Sequence, residues 1–304
     1  MRILLTGLLL LSPWLGHAAD RELLSDTGFH RGFRVIAPSA GKRVVSGQLA
    51  GDDASAKPVW DLDQWHSRFP FTSPPSLRVG AHLVYSNTAK WVVVNAGTLT
   101  LGVDSRPEYT NTLRRTPADP WVHLLAEQAL ENGPSLREMR TLQLRCTARL
   151  TEAETFRPVG YTADLHAAQF QLVVTLANTR RESPGYGDFL WFVVPLYDDR
   201  HAQPPRYLNR DFADASAKFI FNPGTDAFTP QHLRDGQWVK IDRDLRPLLL
   251  EALKEAWQRG YLRDSRDLAD YRLTTLNLGW EVPGLNRVAL AVRDLSLRAE
   301  VSGE

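Results

Sequence analysis

Thr141-Leu142-Gln143-Leu144-Arg145-Cys146-Thr147-Ala148-Arg149-Leu150 alternates without a fault. Leu142, Leu144, Cys146, Ala148 and Leu150 face one way, and Thr141, Gln143, Arg145, Thr147 and Arg149 the other. A period of two over ten residues is the signature of a half-buried antiparallel strand, because successive side chains leave opposite faces of the pleat. It places Cys146 in a core and lines Gln143, Arg145 and Arg149 along the opposite face.

The same period recurs outward from this stretch. Phe170, Leu172, Val174 and Leu176 form a second stripe with Gln169, Gln171 and Thr175 opposite, and Phe189 to Leu196 is nearly all apolar, as in a strand buried on both faces. Further strands are expected near residues 43–49, 77–85, 90–95, 98–103, 217–222, 237–242, 273–282 and 287–299, with Ala96-Gly97 as a tight turn. Two segments read as helices. Asp119-Pro120-Trp121 supplies an N-cap and a proline before Leu124, Leu125 and Ala129, stopping at Gly133; the second runs from about 244 to 260 with Leu249, Leu253, Ala256 and Trp257 on one face. Many strands, few helices and no βαβ rhythm predict an all-β chain: a jelly-roll-type antiparallel β-sandwich with helical insertions near 119–133 and 244–260.

Composition narrows the setting. Met1-Arg2, the apolar run Ile3–Leu11 and the small residues ending at Ala19 read as a secretory signal peptide, leaving 20–304 as one β-sandwich domain in a secreted or periplasmic protein. The apolar run is shorter than the roughly 20 residues that span a bilayer, and no later stretch is long enough to be a transmembrane segment. A formal net charge of +1 gives no electrostatic footprint for nucleic acid. Cys146 is the only cysteine, so no intramolecular disulfide forms and the core must supply the stability. The chain lacks a G-x-S-x-G elbow, an H-E-x-x-H zinc helix and an EF-hand loop, and no cofactor is expected.

Leu276-Asn277-Leu278-Gly279-Trp280-Glu281-Val282-Pro283-Gly284, running into Val288-Ala289-Leu290-Ala291-Val292-Arg293-Asp294-Leu295-Ser296-Leu297, resembles the terminal strands of secreted jelly-roll carbohydrate-binding modules. The resemblance covers about a tenth of the chain and implies fold more than function; it carries over no sugar-binding residue. Val288, Leu290 and Val292 differ in parity from Leu295 and Leu297, so a β-bulge, or a switch from one sheet's core to the other's, is expected at Arg293-Asp294. Asp294 at such a kink is a candidate ligand for a structural Ca²⁺; hydrogen bonds to nearby backbone amides are the plainer role.

Aromatic residues are the candidate contacts for a poly- or oligosaccharide, since sugar C–H faces stack on indole rings while charged and amide groups take the hydroxyls. Trp60-Asp61-Leu62-Asp63-Gln64-Trp65-His66 is the densest polar-aromatic segment, nominating Trp60, Trp65 and His66. Trp238 turns outward if Val239 and Ile241 point in, whereas Trp280 and Trp191 belong to apolar stripes and read as core. Arg78 and His82 share parity on an expected strand over 77–85. Beside Gln143, Arg145 and Arg149 they would make a basic groove for an acidic polysaccharide. The expected function is therefore export and glycan binding. The alternatives are a polysaccharide lyase or glycoside hydrolase on a β-sandwich, and a non-catalytic envelope or interaction protein without a sugar site.

Overall fold

The computed structural model describes residues 19–301 apart from 54, 75, 213 and 214, so the apolar run read as a signal peptide lies outside the described residues. The chain begins with β1 (Ala19–Glu22), β2 (Gly32–Ile36), β3 (Val45–Ala50) and β4 (Trp60–Asp63), then β5 (Leu77–Val79), β6 (His82–Ser86), β7 (Lys90–Asn95) and β8 (Thr98–Asp104). After a one-turn helix α1 (Ser105–Glu108) come β9 (Val122–Ala129), β10 (Met139–Phe156), β11 (Gln169–Asn178) and β12 (Phe189–Asp198). The strands β13 (Tyr207–Arg210), β14 (Phe219–Asn222) and β15 (Val239–Asp244) lead to helix α2 (Arg246–Gln258), followed by β16 (Tyr271–Val282) and β17 (Leu285–Val301).

Among the described residues, eight strands form sheet I in the order β15-β10-β17-β8-β7-β6-β5, with β1 also on β17, and nine form sheet II in the order β13-β14-β12-β11-β16-β9-β4-β2-β3. The sheets face each other across one apolar cluster, giving a jelly-roll β-sandwich. Leu142, Leu144, Cys146 and Ala148 of sheet I and Phe170, Leu172, Leu278 and Trp280 of sheet II all contribute to it. Trp280 is fully buried, and its Nε1–H donates to Leu101 O of the opposite sheet at 2.8 Å, which joins the two layers. Cys146 is a buried free thiol, its pKa pushed up to about 12 by burial. Parity also fixes the bulge: β17 shifts register against β10 between Arg145 and Thr147, Asp294 takes a left-handed φ of 55°, and both halves of β17 stay in the same core.

Three expectations fail. Residues 119–133 are not a helix but carry β9, hydrogen-bonded between β16 and β4. The adjacent Leu124 and Leu125 imitate helical spacing, yet Val122, Leu124 and Ala126 alternate into the core. Residues 77–85 are a hairpin, not one strand, because the chain reverses at Gly80 with φ 59°. Trp191 is not core; it is half-buried on the outer face of sheet II and donates Nε1–H to Ser216 Oγ at 2.9 Å. The second helix is found as α2, burying Leu249, Ala252, Leu253 and Ala256, while α1 has no counterpart in the expectations.

Candidate functional site

Alternation along β4, β9 and β16 carries acidic side chains to the outer face of sheet II. Trp60 and Leu62 of β4 point into the core and turn Asp61 and Asp63 outward; Leu124 and Ala126 of β9 do the same for His123, Leu125 and Glu127. On β16, Leu278 and Trp280 leave Asn277, Gly279 and Glu281 outside. Register aligns Asp61 with Glu127 and Asn277, Asp63 with Leu125 and Gly279, and His123 with Glu281. Gly279 is required where it stands, because a Cβ there would lie 2.1 Å from Leu124 O, and it leaves the middle of this face without a side chain.

Arg43, on the turn between β2 and β3, reaches over the acidic residues. One of its nitrogens, Nη1, lies 2.8 Å from Glu127 Oε1 and 3.7 Å from Asp63 Oδ2, and its Nε–H donates to Asp61 Oδ2 at 3.1 Å. Arg34 Nε–H donates to the other Asp61 oxygen at 2.5 Å. Sharing Arg43 Nη1 keeps the Asp63 and Glu127 carboxyl groups within the upper limit of about 10 Å over which paired carboxylates act on a glycosidic bond. Asp63 is fully buried and, among the described residues, neither of its oxygens has a hydrogen-bond partner. Burial first, then the Glu127 charge, raises its pKa to about 7. Burial also raises Glu127, against the pull of Arg43. Near neutral pH Asp63 therefore keeps a proton that an ordinary aspartate would have lost.

A second group lies at the other end of this face. His123 Nδ1–H donates to Trp121 O at 2.9 Å, leaving Nε2 3.6 Å from Glu281 Oε2. Burial pushes the Glu281 carboxyl up, but His123 and the hydrogen bond that Trp121 Nε1–H donates at 3.0 Å hold it below its ordinary value. The His123 ring stacks on Trp121 at 5.6 Å and meets the edge of Trp65 at 5.4 Å, while Arg114 lies over Trp121 at 4.9 Å. His66 is exposed, 6.1 Å from the His123 ring, and burial followed by that neighbour lowers its pKa.

The loop carrying Trp65 and His66 is fixed from below. Buried Gln64 donates Nε2–H to Ile36 O and Phe71 O and accepts from Phe71 N–H at 2.7 Å. Ser67 Oγ–H donates to Glu108 Oε1 at 2.8 Å, and the buried Lys90 ammonium pairs with Glu108 beneath it. Burial lowers Lys90, with Glu108 opposing.

Of the residues singled out from sequence, only Trp65 and His66 join this site. Trp60 is fully buried and donates Nε1–H to Asp26 O at 2.7 Å, so it has no face to offer a ligand. Arg78 and His82 are exposed on the β5–β6 hairpin; Arg78 opposes Leu83 and His82 opposes Val79, which puts them on opposite faces. That hairpin is separated from β10 by β7, β8 and β17, so no groove joins them to Gln143, Arg145 and Arg149. Gln143 Nε2–H and Arg145 Nε–H both donate to Asp242 Oδ1, at 2.6 and 3.1 Å. The Trp238 ring is half-buried, with the Arg149 guanidinium 4.8 Å and that of Arg293 4.2 Å from its centroid. The Asp294 carboxylate lies 3.5 Å from Arg293, and among the described residues no group of three or more His, Cys, Asp or Glu is placed to hold a metal ion. Sequence reasoning missed Asp61, Asp63, Glu127, His123, Glu281 and Arg43 as site residues. The alternation of Val122, Leu124 and Ala126 was the signal for two of them.

No protein-family model matches the chain, and no curated protein matches it in sequence. Solved structures similar in shape include an endoglucanase from Rhodothermus marinus (13% identity over 75% of this chain and 96% of that one, TM-score 0.40) and a family 12 xyloglucanase from Bacillus licheniformis (8% identity over 75% and 98%, TM-score 0.42). The xyloglucanase domain of an effector from Sinorhizobium fredii is a third (8%, 75% and 96%, TM-score 0.36). No residue role passes from these proteins to this chain.

Proposed function

We propose that the protein is an exported glycan-acting β-sandwich that cleaves a glycosidic bond on the outer face of sheet II. The observation that carries this reading is Asp63, a buried carboxyl without hydrogen-bond partners, titrating near 7 beside Glu127. Two carboxyl groups whose environments differ are the equipment of a glycosidase: one acid still protonated at working pH, one carboxylate ionised. Asp63 gives its proton to the leaving glycosidic oxygen as the C–O bond breaks. Glu127 takes a proton from water while the water oxygen bonds to the anomeric carbon. Trp65 supplies an apolar ring for a neighbouring sugar, with Glu281 and His66 for hydroxyls.

Glycan binding without chemistry is the second reading, favoured by the cover that Arg43 makes over Asp63. Reducing-end release from a panel of soluble polysaccharides, measured beside calorimetric binding, separates the two. Cleavage by the native protein that disappears in Asp63→Asn and Glu127→Gln supports hydrolysis. Binding without cleavage leaves the second reading, and neither binding nor cleavage removes both.

A further inference from the structure

We infer that the sugar accepted at this site carries a free amino group: the ligand is an amino-sugar oligomer whose ammonium takes the place of the Arg43 guanidinium among Asp61, Asp63 and Glu127. The inference rests on the reading of this face as a glycan site and adds the chemical class of its ligand.

Three carboxyl groups converge on one cation that the protein itself supplies. Asp61 is held by Arg34 and Arg43 together, and Glu127 by Arg43 at 2.8 Å. Asp63, although fully buried, is in ion-pair reach of Arg43 at 3.7 Å and has no hydrogen bond among the described residues. A buried carboxyl left without partners is costly, so the site is complementary to a polar group that comes closer to Asp63 than Arg43 does.

The supports of the two sides differ. The carboxylates stand on β4 and β9, strands hydrogen-bonded to each other within the sheet. Arg43 stands on the 37–44 turn at the sheet edge, closed by Ala37 N–H to Val44 O at 2.8 Å, with Gly41 in open space at φ 74°. Its side chain is 46% exposed, against 6% for Asp61 and none for Asp63. Any sugar that touches Asp63 must displace the movable partner, Arg43, from the fixed ones.

Charge then selects the sugar. Withdrawing one member of a buried ion pair is strongly unfavourable, because it strands the other charge without solvent. Hydroxyl groups of a neutral sugar do not replace a cation. A uronic acid adds a further negative charge beside the Asp61 and Glu127 carboxylates. An ammonium restores the balance and brings three N–H donors, enough for the unprotonated oxygen of Asp63 and one oxygen each of Asp61 and Glu127.

The test compares three tetrasaccharides of one backbone geometry: fully deacetylated chitotetraose, its fully N-acetylated counterpart, and cellotetraose. Binding is followed by calorimetry and cleavage by reducing ends, at pH 6 and two salt concentrations. The expected result is at least tenfold tighter binding of the deacetylated oligomer, weakening with salt, with Arg43→Lys retaining the preference and Arg43→Ala increasing affinity for the amino sugar. Should Arg43→Ala not fold, the native protein and Arg43→Lys carry the comparison. Equal or better handling of the neutral or acetylated oligomer overturns this inference and leaves the glycosidase reading standing. If none of the three is bound or cut, this inference falls, and the polysaccharide panel alone decides the glycosidase reading. A rise in melting temperature with calcium chloride alone, without discrimination among the sugars, also overturns it by making the acidic nest a metal site.

Discussion

The outer faces of both sheets carry charged and aromatic side chains, and they differ in how completely the carboxyl groups are partnered. On sheet I, Arg145 and Lys240 meet Asp242 at 3.1 and 3.0 Å, Arg298 meets Asp20 at 3.2 Å, and Arg287 pairs with Glu152. Arginines lie against its half-buried tryptophans, Arg149 and Arg293 on Trp238 and Arg287 on Trp91 at 4.8 Å, much as Arg114 does on Trp121 near the other face. On sheet II, Asp61, Asp63, Glu127 and Glu281 share a face with Arg34 and Arg43, and Asp63 is left without a hydrogen bond. A row of arginines along one strand therefore does not make a ligand face. What decides it is whether the neighbouring strand supplies partners: among the described residues the unsatisfied buried group on the outer face of sheet II is the Asp63 carboxyl, whereas on that of sheet I it is Arg149 Nε, whose guanidinium lies over Trp238.

The largest expected effect falls on sheet II. Asp63→Asn and Glu127→Gln should each lower glycosidic cleavage by about 10² to 10⁴, the usual worth of a positioned acid or base. Circular dichroism should show the fold intact. The double change Arg145→Gln and Arg149→Gln on sheet I should leave cleavage unaltered, and a comparable loss there would erase the contrast between the faces.

Next comes the layer between the faces. Trp280→Ala should cost about 3 to 5 kcal/mol in denaturant unfolding, through lost burial and the lost bond to Leu101. Trp65→Ala, on the outer face of sheet II, should instead weaken glycan binding by about 0.5 to 1.5 kcal/mol while the melting temperature barely moves. If both variants merely destabilise the protein, Trp65 is a packing residue and the aromatic part of the site is wrong.

The smallest effect is expected from the arginines of sheet I. Exposed pairs such as Arg145–Asp242 contribute about 0 to 1 kcal/mol each, so the double Gln variant should unfold within that margin of the native protein. It should also show no change in salt-sensitive binding to uronic-acid polymers. A clear loss would restore the basic-groove expectation that the pairing with Asp242 removes.

Much of the sandwich was legible because a strand's parity is local. β10, β11 and β17 each announce which side chains point inward, and the parity change at Arg293-Asp294 marks the bulge before any partner strand is known. β9 was not legible, since Leu124-Leu125 and Pro120 satisfy a helix as well as a strand, and the choice was made by pairing with β4 and β16. Reading it as a helix hid His123 and Glu127, one strand face from Asp63. Pairing partners were equally out of reach. Parity set Arg145 on the outer face of sheet I, but only register put Asp242 opposite it. The Trp60-Asp61-Leu62-Asp63 alternation was readable as two residues in and two out. The burial of Asp63 was not, because its cover comes from Arg43, twenty residues earlier in an edge turn.

The central claim is that Asp63 remains protonated until near neutral pH, and stability should record it. An unfolded chain loses this proton near 3.8, whereas the folded protein keeps it to about 7. Between those values the native state holds a proton that the unfolded state lacks, so stability falls as pH rises through the window and is level above it. Carboxyl ¹³C NMR, with the Asp63 signal assigned by its absence in Asp63→Asn, measures the titration directly. A midpoint near 7, accompanied by loss of up to about 1.4 kcal/mol per pH unit in the native protein but not in Asp63→Asn, is the predicted result. A midpoint at or below about 4 would contradict the account, because Asp63 would then be an ordinary ionised aspartate with no proton to give.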